Sequence, residues 1–323
     1  MALLLREEEV RDLLTMAGAI EALEDAFRAL ARGEASNFPR QRCTRPGVAL
    51  NVLSAISQAL DAAGIKCYPI VRQDVTVGSS FTMLVYRISS GALIGVLEAN
   101  RLGQVRTGAA SAVAMKRLAR VNSGIMTLFG TGWQAESQLE AAAHVLPELS
   151  VVNVLGRSLE KTRQFCAVMG ERLNLRLIAA RDHEAAVREA DVVTTVTGSS
   201  EPVFDGRWLR RGVHVNAVGS NYPEKRELDS AAVTLADVIV VDDKTVAGME
   251  CGDLLAQGVR ETLDWNAVRS LAHVVGGIAP GRTSQDEITI FESHGIGIED
   301  LAVASHVLEE AERRGVGVPI PLG

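Results

Sequence analysis

Gly130, Gly132 and Ala135 stand in the stretch LFGTGWQAESQLEA with the spacing G-x-G-x-x-A. That spacing suits a turn whose backbone lets the pyrophosphate of a dinucleotide approach the first N–H groups of a helix. The residues between and beside the glycines, Thr131, Trp133 and Gln134, belong to the same candidate cradle. Glycine is common at turns, so the spacing alone is weak, and a bare strand-to-helix corner competes with it. Its context strengthens it: the apolar stretch IMTLF precedes the turn directly, and the helix-like WQAESQLEAAAHVL follows.

The next apolar stretch, SVVNVL, ends about 25 residues beyond Gly130, where an NAD-preferring site carries Asp or Glu for the ribose hydroxyls. Here the segment reads GRSLEK. Gly156 leaves room, Arg157 brings positive charge, Ser158 brings a hydroxyl, and Lys161 lies one helical turn further. An acid would repel a 2′-phosphate, whereas an Arg–Ser pair can hold one. The segment therefore predicts NADP(H) in preference to NAD(H), with NAD(H) still possible to accommodate. The competing reading makes Arg157 a solvated residue at a helix start.

These residues need a scaffold, and the chain after Ile125 supplies a rhythm of strand and helix. Short apolar strands are predicted at IMTLF, SVVNVL, LRLIA, DVVTTV, VHVNAV, VIVVDD and ITIF, most of them separated by helical segments. Alternation of this kind implies an α/β fold with a Rossmann-type doubly wound parallel sheet, whose ligands sit beyond the carboxyl ends of the strands. The first 120 residues read differently. TMAGAIEALEDAFRALARGEA places Ile20, Leu23, Phe27 and Leu30 on one helical face, with Thr15 as N-cap and Gly33 as stop. VGSSFTMLVYRISSGALIGVLEA reads as an antiparallel hairpin, and RTGAASAVAMKRLAR as a helix of small residues. A last helix from about Ile298 to Arg313 and the tail VGVPIPLG are predicted to return to the N-terminal domain. The expected layout is a discontinuous α+β domain over 1–120 and 298–323, enclosing a dinucleotide domain over 121–297.

Bulk properties fit two domains: 323 residues, 47% hydrophobic and 23% charged. A net charge of −7 argues against nucleic acid or an anionic membrane as partner. No apolar run has the length of a membrane span. The start, MALLLREEEV, lacks the basic opening and long apolar core of a signal peptide. Cys43, Cys67, Cys166 and Cys251 are scattered singly, which suggests thiols in a reducing cytoplasm. The six histidines show no HxxH or HxxxH spacing, so no metal site is predicted.

Over nearly its full length the chain resembles the ornithine cyclodeaminase / mu-crystallin family. The stretches that carry the likeness, in order, are GIKCYP, RTGAASAVAMKRL, GTGWQAESQLEA, ADVVTTVTG, HVNAVGSNYPEKRELD and EITIFESHGIGIEDLAVA. The resemblance implies a Rossmann domain beside a discontinuous domain that binds substrate and makes a homodimer, with small α-amino or α-imino acids reacting against a nicotinamide. It implies that Arg42, Lys66 and Arg106 hold the substrate carboxylate, with Arg40 competing for the role of Arg42. Charge-assisted hydrogen bonds to a carboxylate are worth about 1.5–3 kcal/mol each; surface ion pairs are the plainer alternative. On the cofactor side the resemblance adds Thr107, Thr197, Val218, Gly219, Ser220, Lys225 and Ser293.

Two positions depart from the family. Cyclodeaminases, and the alanine dehydrogenase branch, carry an aspartate just after the VG-x turn; here VGSNYPEK places Asn221 there. An amide is no general base near neutral pH. Hydrolysis of an imino acid needs water deprotonated, whereas hydride addition to a protonated imine does not. Asp229, nearby in RELD, matches a residue that orients the turn. His294, in FESHG, stands where cyclodeaminases place a small apolar residue. It is a candidate to protonate the imine or to bond a polar side chain; shaping the pocket or turning away are the alternatives. The leading expectation is thus an NAD(P)H-dependent imine or ketimine reductase, or amino-acid dehydrogenase, with Lys66, His294 and Asn221 at the reacting centre. The alternatives are an ammonia-releasing cyclodeaminase and a mu-crystallin-like NADP-dependent ligand-binding protein.

Overall fold

The structure is a computed structural model and describes residues 1–71, 80–219 and 221–321. The chain divides into two compact units, Met1–Arg106 with Ile296–Gly323, and Thr107–Gly295.

The first unit opens with β1 (Ala2–Leu5), α1 (Glu7–Leu13) and α2 (Met16–Ala31). Thr15 caps α2 by accepting from the Gly18 N–H at 3.1 Å, and Gly33 beyond its end takes a left-handed φ of 73°. There follow β2 (Ala35–Asn37), β3 (Gln41–Arg45), β4 (Val48–Ser57), β5 (Ala62–Val71), β6 (Thr82–Arg87) and β7 (Leu93–Glu98). Alternation along β4 explains its two faces: Asn51, Leu53, Ala55 and Ser57 are buried, while Val48, Leu50 and Ile56 are exposed. The register Asn51↔Tyr68 and Leu53↔Lys66 carries the buried face onto β5. A helix, α3 (Asn100–Leu118), leaves the sheet.

The second unit holds β8 (Ile125–Phe129), α4 (Trp133–Val145), β9 (Val151–Leu155), α5 (Leu159–Leu173), β10 (Arg176–Ala179), α6 (His183–Glu189), β11 (Val192–Thr195) and β12 (His214–Ala217). It continues with α7 (Ser230–Leu235), β13 (Val238–Val241), α8 (Lys244–Glu250), α9 (Gly252–Leu255), β14 (Arg269–Ser270), α10 (Leu271–Val275) and β15 (Thr289–Glu292). The sheet order is β10-β9-β8-β11-β12-β15-β13-β14 with every pair parallel. Strands β11, β12, β13 and β15 are buried along their whole length, as a sheet covered on both faces requires. The chain runs from β8 outward to β10 and returns on the other side of β8 as β11, so the topological switch lies between β8 and β11. The seven strands expected in this region are present; the short β14 was not anticipated.

The chain then re-enters the first unit with α11 (Gly297–Arg314) and β16 (Val318–Ile320). α11 lies against β4, β5 and β6 and packs on α2. β16 pairs antiparallel with β1, which is parallel to β7, giving the order β16-β1-β7-β6-β5-β4-β2 with β3 on β4. The core between helices and sheet is built from Leu23, Phe27, Leu53, Met83, Val85, Leu97 and Leu301. The units part inside α3, between Arg106 and Thr107, rather than at the 120 and 298 of the sequence reading. Thr107 already belongs with α4, since its carbonyl accepts from the Gln138 side chain at 3.3 Å. Among the described residues no helix is long and apolar enough to cross a membrane.

Candidate active site

The glycine turn lies at the switch point, at the carboxyl end of β8. Gly130 has a φ of 120°, where side chains are strongly disfavoured, and a Cβ there would sit 2.5 Å from the Val196 carbonyl oxygen beyond β11. Gly132 is the N-cap of α4 and gives it no side-chain cap, so the first N–H groups face outward without a side-chain acceptor from that position. Ala135 is fully buried against the sheet, and the Gln134 carbonyl accepts from Ser137 at 2.9 Å. Thr131 is half-buried and Trp133 exposed. A backbone cradle that a Cβ would fill, set before an N-terminus with this geometry, fits the pyrophosphate of a dinucleotide.

Gly156 follows β9, and a Cβ there would meet Thr162 Oγ1 at 2.6 Å and Thr131 at 3.2 Å, so the second turn packs directly on the first. Ser158 caps α5 by accepting from the Lys161 N–H at 3.4 Å. Arg157 and Lys161 are exposed. The residues directly after β9 are Gly156, Arg157 and Ser158, none of them an acid.

The turns after β11 and β12 are tied by one buried acid. Glu227 accepts from the Thr195 hydroxyl at 2.8 Å, the Thr197 N–H at 2.6 Å and the Gly219 N–H at 2.7 Å. Burial pushes its carboxyl up to about 7, against the pull of these donors. Asp253 supports it by accepting from the Glu227 and Leu228 N–H groups at 2.8 and 2.9 Å. Val218 continues the ladder to the Thr195 carbonyl at 2.8 Å, and Thr197 accepts from Ser199 N–H at 3.1 Å. Asn221 is half-buried on this turn, Lys225 Nζ lies 5.4 Å from the Tyr222 ring, and Ser220 lies outside the described residues. Asp229 caps α7 through the Ala232 N–H at 2.8 Å and also accepts from the Gly206 N–H at 3.1 Å.

Beyond β15, Ser293 is buried and its N–H reaches the Ala217 carbonyl at 2.9 Å. His294 is buried as well. Its backbone N–H donates to Asp242 Oδ2 at 2.7 Å and its Nδ1 lies 3.2 Å from Asp242 Oδ1. Burial opposes the charge of Asp242, yet the bonds from His294 and Gly295 hold its carboxyl below the usual range.

The remaining sequence candidates meet in the first unit. Lys66 on β5 is 2% exposed, and its Nζ lies 2.6 Å from Oδ1 of Asp300, which is fully sealed. Arg106 on α3 reaches Glu299 at 2.8 Å and Asp300 at 3.0 Å. Both acids stand in the first turn of α11, where the helix dipole favours negative charge. Burial, then the neighbouring Arg106, depresses the Lys66 ammonium to about 8, while Asp300 holds it from falling further. Burial also opposes the Arg106 charge, but Asp300 and Glu299 outweigh it and keep the guanidinium above its usual range. The plainer alternative for Lys66 and Arg106, surface ion pairs, is thereby excluded: the pairs are internal. Arg40 is buried and acts on the Lys66 charge; Arg42 is half-buried opposite Asn51 in the β3–β4 register.

Several residues of this cluster escaped the sequence reading. Tyr68 and Phe81 stack tilted at 4.4 Å, with the Lys66 ammonium 5.7 and 5.9 Å from their rings. Asn51 is 1% exposed, and neither side-chain amide atom has a hydrogen-bond partner among the described residues. Buried amides are normally satisfied, so Asn51 is an open polar group on the same sheet face as Lys66, Tyr68 and Arg42. Its signal was present as one Asn at an inward position of ALNVLSAI, whose other polar residue, Ser54, stands on the outer face opposite Ile65.

Similarity to known proteins follows this geometry. A Δ1-pyrroline-2-carboxylate reductase of Bacillus cereus is 35% identical over 272 residues, 82% of each chain. The structure of Thermococcus litoralis Δ1-pyrroline-2-carboxylate reductase with NADH and L-proline superposes with a TM-score of 0.92 at 29% identity, covering 98% of this chain and 100% of that one. An archaeal alanine dehydrogenase dimer with bound NAD gives a TM-score of 0.92 at 32% identity, covering 100% and 99%. The sequence profile of the ornithine cyclodeaminase/mu-crystallin family matches residues 1–315, and the chain belongs to that family.

Proposed function

We propose that this chain, an NAD(P)-dependent oxidoreductase of its family, reduces the C=N bond of a small α-imino carboxylate, open-chain or cyclic, to the amino acid. The observation that carries the reading is the sealed Lys66–Arg106 pair. Two cations held by Asp300 and Glu299 retain N–H donors beyond those the acids use, because an ammonium has three and a guanidinium five. They offer a carboxylate a preorganised, water-poor seat, where charge-assisted bonds are strongest.

A reduced nicotinamide supplies the hydride. Lys66 and Arg106 fix the carboxylate and so the orientation of the imine carbon. Asn221 bonds without taking a proton, which favours addition to an already protonated imine over hydrolysis. His294, fixed by Asp242 and with its side chain fully buried, is assigned a shaping role rather than proton transfer. The Gly130 turn with Thr131, Gly132, Trp133, Gln134 and Ala135, and the turns bearing Thr107, Thr197, Val218, Gly219, Ser220, Lys225 and Ser293, form the dinucleotide seat. Gly156, Arg157, Ser158 and Lys161 favour NADP(H). The four cysteines are free thiols, which suits a reducing cytoplasm.

A homodimer is proposed through the outer face of the first sheet. Val48, Leu50, Ile56, Ile65, Val71 and Tyr86 leave that face apolar and exposed, and Ile65 and Tyr86 each stand across from residues of the same face, Ser54 and Ala63.

The test is a panel of α-keto acids with ammonia or methylamine, and of cyclic imines, with NADPH and NADH in parallel. Reductase activity consumes reduced cofactor only when imine is present. Release of ammonia from a diamino acid without net cofactor oxidation would assign the lyase instead.

A further inference from the structure

The end of β15 and the junction of α8 with α9 bring together three side chains that the reaction does not need as a set. Ligand-capable atoms of Cys251, Glu292 and His294 all lie within 4.8 Å of one another, and all three residues are buried. Glu292 is 1% exposed, and its Oε1 has no hydrogen-bond partner among the described residues. It sits in a strongly acidic interior, with Asp253, Glu227 and Asp242 all buried nearby and acting on it. Arg226 is the permanent cation that acts on this group, through Asp253.

The histidine has the geometry of a ligand. Its Nδ1 lies 3.2 Å from Asp242 Oδ1, so with the proton on Nδ1 the lone pair is on Nε2. Imidazoles that bind metals are commonly oriented by such a carboxylate through the opposite ring nitrogen.

We propose that Cys251, Glu292 and His294 form a binding site for one divalent metal ion of the zinc class. A thiolate, an imidazole and a carboxylate suit tetrahedral zinc and disfavour magnesium and calcium, which take oxygen ligands. A water completes the four positions. Binding displaces the thiol proton of Cys251 to solvent. The ligands come from two separate segments, 251 and 292–294, so histidine spacing alone could not reveal the site. The ion would tie the α8–α9 junction to the end of β15.

The experiment uses the full chain, unfolded with chelator, desalted, and refolded with or without added Co²⁺. Protein refolded with Co²⁺ is expected to hold about one equivalent, to show a thiolate-to-cobalt charge-transfer band with strong four-coordinate visible bands, and to melt several degrees above the metal-free form. Cys251→Ser is expected to lose the charge-transfer band, and Glu292→Gln to weaken Co²⁺ binding at least about tenfold. Wild-type protein that refolds with Co²⁺ yet shows no such band overturns the proposal, and so does a band that persists in Cys251→Ser.

Discussion

The ammonium of Lys66 and the carboxylate of Asp300 meet at 2.6 Å with 2% and 0% of their side chains exposed, a closed ion pair between β5 and the first turn of α11. Burying such a pair is tolerable only when further hydrogen bonds satisfy the remaining donors and acceptors. Arg106 supplies part of that, because it shares Asp300 and reaches Glu299 as well. Lys66→Ala is expected to lower kcat/KM at least about tenfold, the equivalent of one charge-assisted contact of roughly 1.4 kcal/mol. Lys66→Arg should recover part of the loss. Folded Lys66→Ala protein with wild-type kinetics would remove Lys66 from the substrate site.

The same pair sets a pH dependence. Lys66 is depressed to about 8, so it is charged below that pH and neutral above it. Binding of an anionic substrate should weaken as pH rises through about 8, seen as an alkaline limb in kcat/KM. Lys66→Arg should move that limb upward, because a guanidinium keeps its proton. A limb that stays near 8 in Lys66→Arg would belong to another group.

Asn221 should make the protein a poor deaminase. Purified enzyme with ornithine is expected to give no useful rate of proline and ammonia formation, and Asn221→Asp to raise ammonia release by restoring a base. Steady proline formation by the wild type would require a different base, with His294 tested next.

Asn51→Leu separates stability from function. Removing a buried amide with no hydrogen-bond partner among the described residues should raise the unfolding free energy by about 1 kcal/mol or more, while KM for the imino acid rises. A drop in stability with unchanged KM would show that Asn51 serves the fold alone.

NADPH should bind at least about tenfold tighter than NADH. Two charge-assisted contacts of about 1.5 kcal/mol each would give roughly a hundredfold, reduced by the exposure of Arg157 and Lys161 to solvent. Arg157→Ala should weaken NADPH and leave NADH nearly unchanged. Equal affinities in a fluorescence titration would make Arg157 a solvated residue only.

The Thr107–Gly295 unit was largely legible because its signals are local. Each buried parallel strand is a continuous apolar run, and the Gly130 turn is contiguous in sequence with the strand and helix it joins. The sheet of the other unit was legible only in its hairpin, β6 and β7. Strands β4 and β5 mix inward polar residues, Asn51 and Lys66, with outward apolar ones, Leu50 and Ile65, which inverts the usual pattern and hides the period. Lys66 and Arg106 were named by resemblance, but the acids that the structure pairs with them, Asp300 and Glu299, were not. Nothing in a linear reading joins residues 234 and 193 positions apart.

That separation also sets an order of events during synthesis. A chain leaving the ribosome carries Lys66 and Arg106 long before the acids that neutralise them; at ~5–20 residues per second the wait is on the order of ten to fifty seconds. Over that interval β4, β5 and β6 have no α11 to cover them, and two cations destined for the interior must stay hydrated. The Thr107–Gly295 unit has every strand of its own sheet within its own span and can close in the meantime. The segment made first is therefore completed last, its sheet uncovered until α11 has been made.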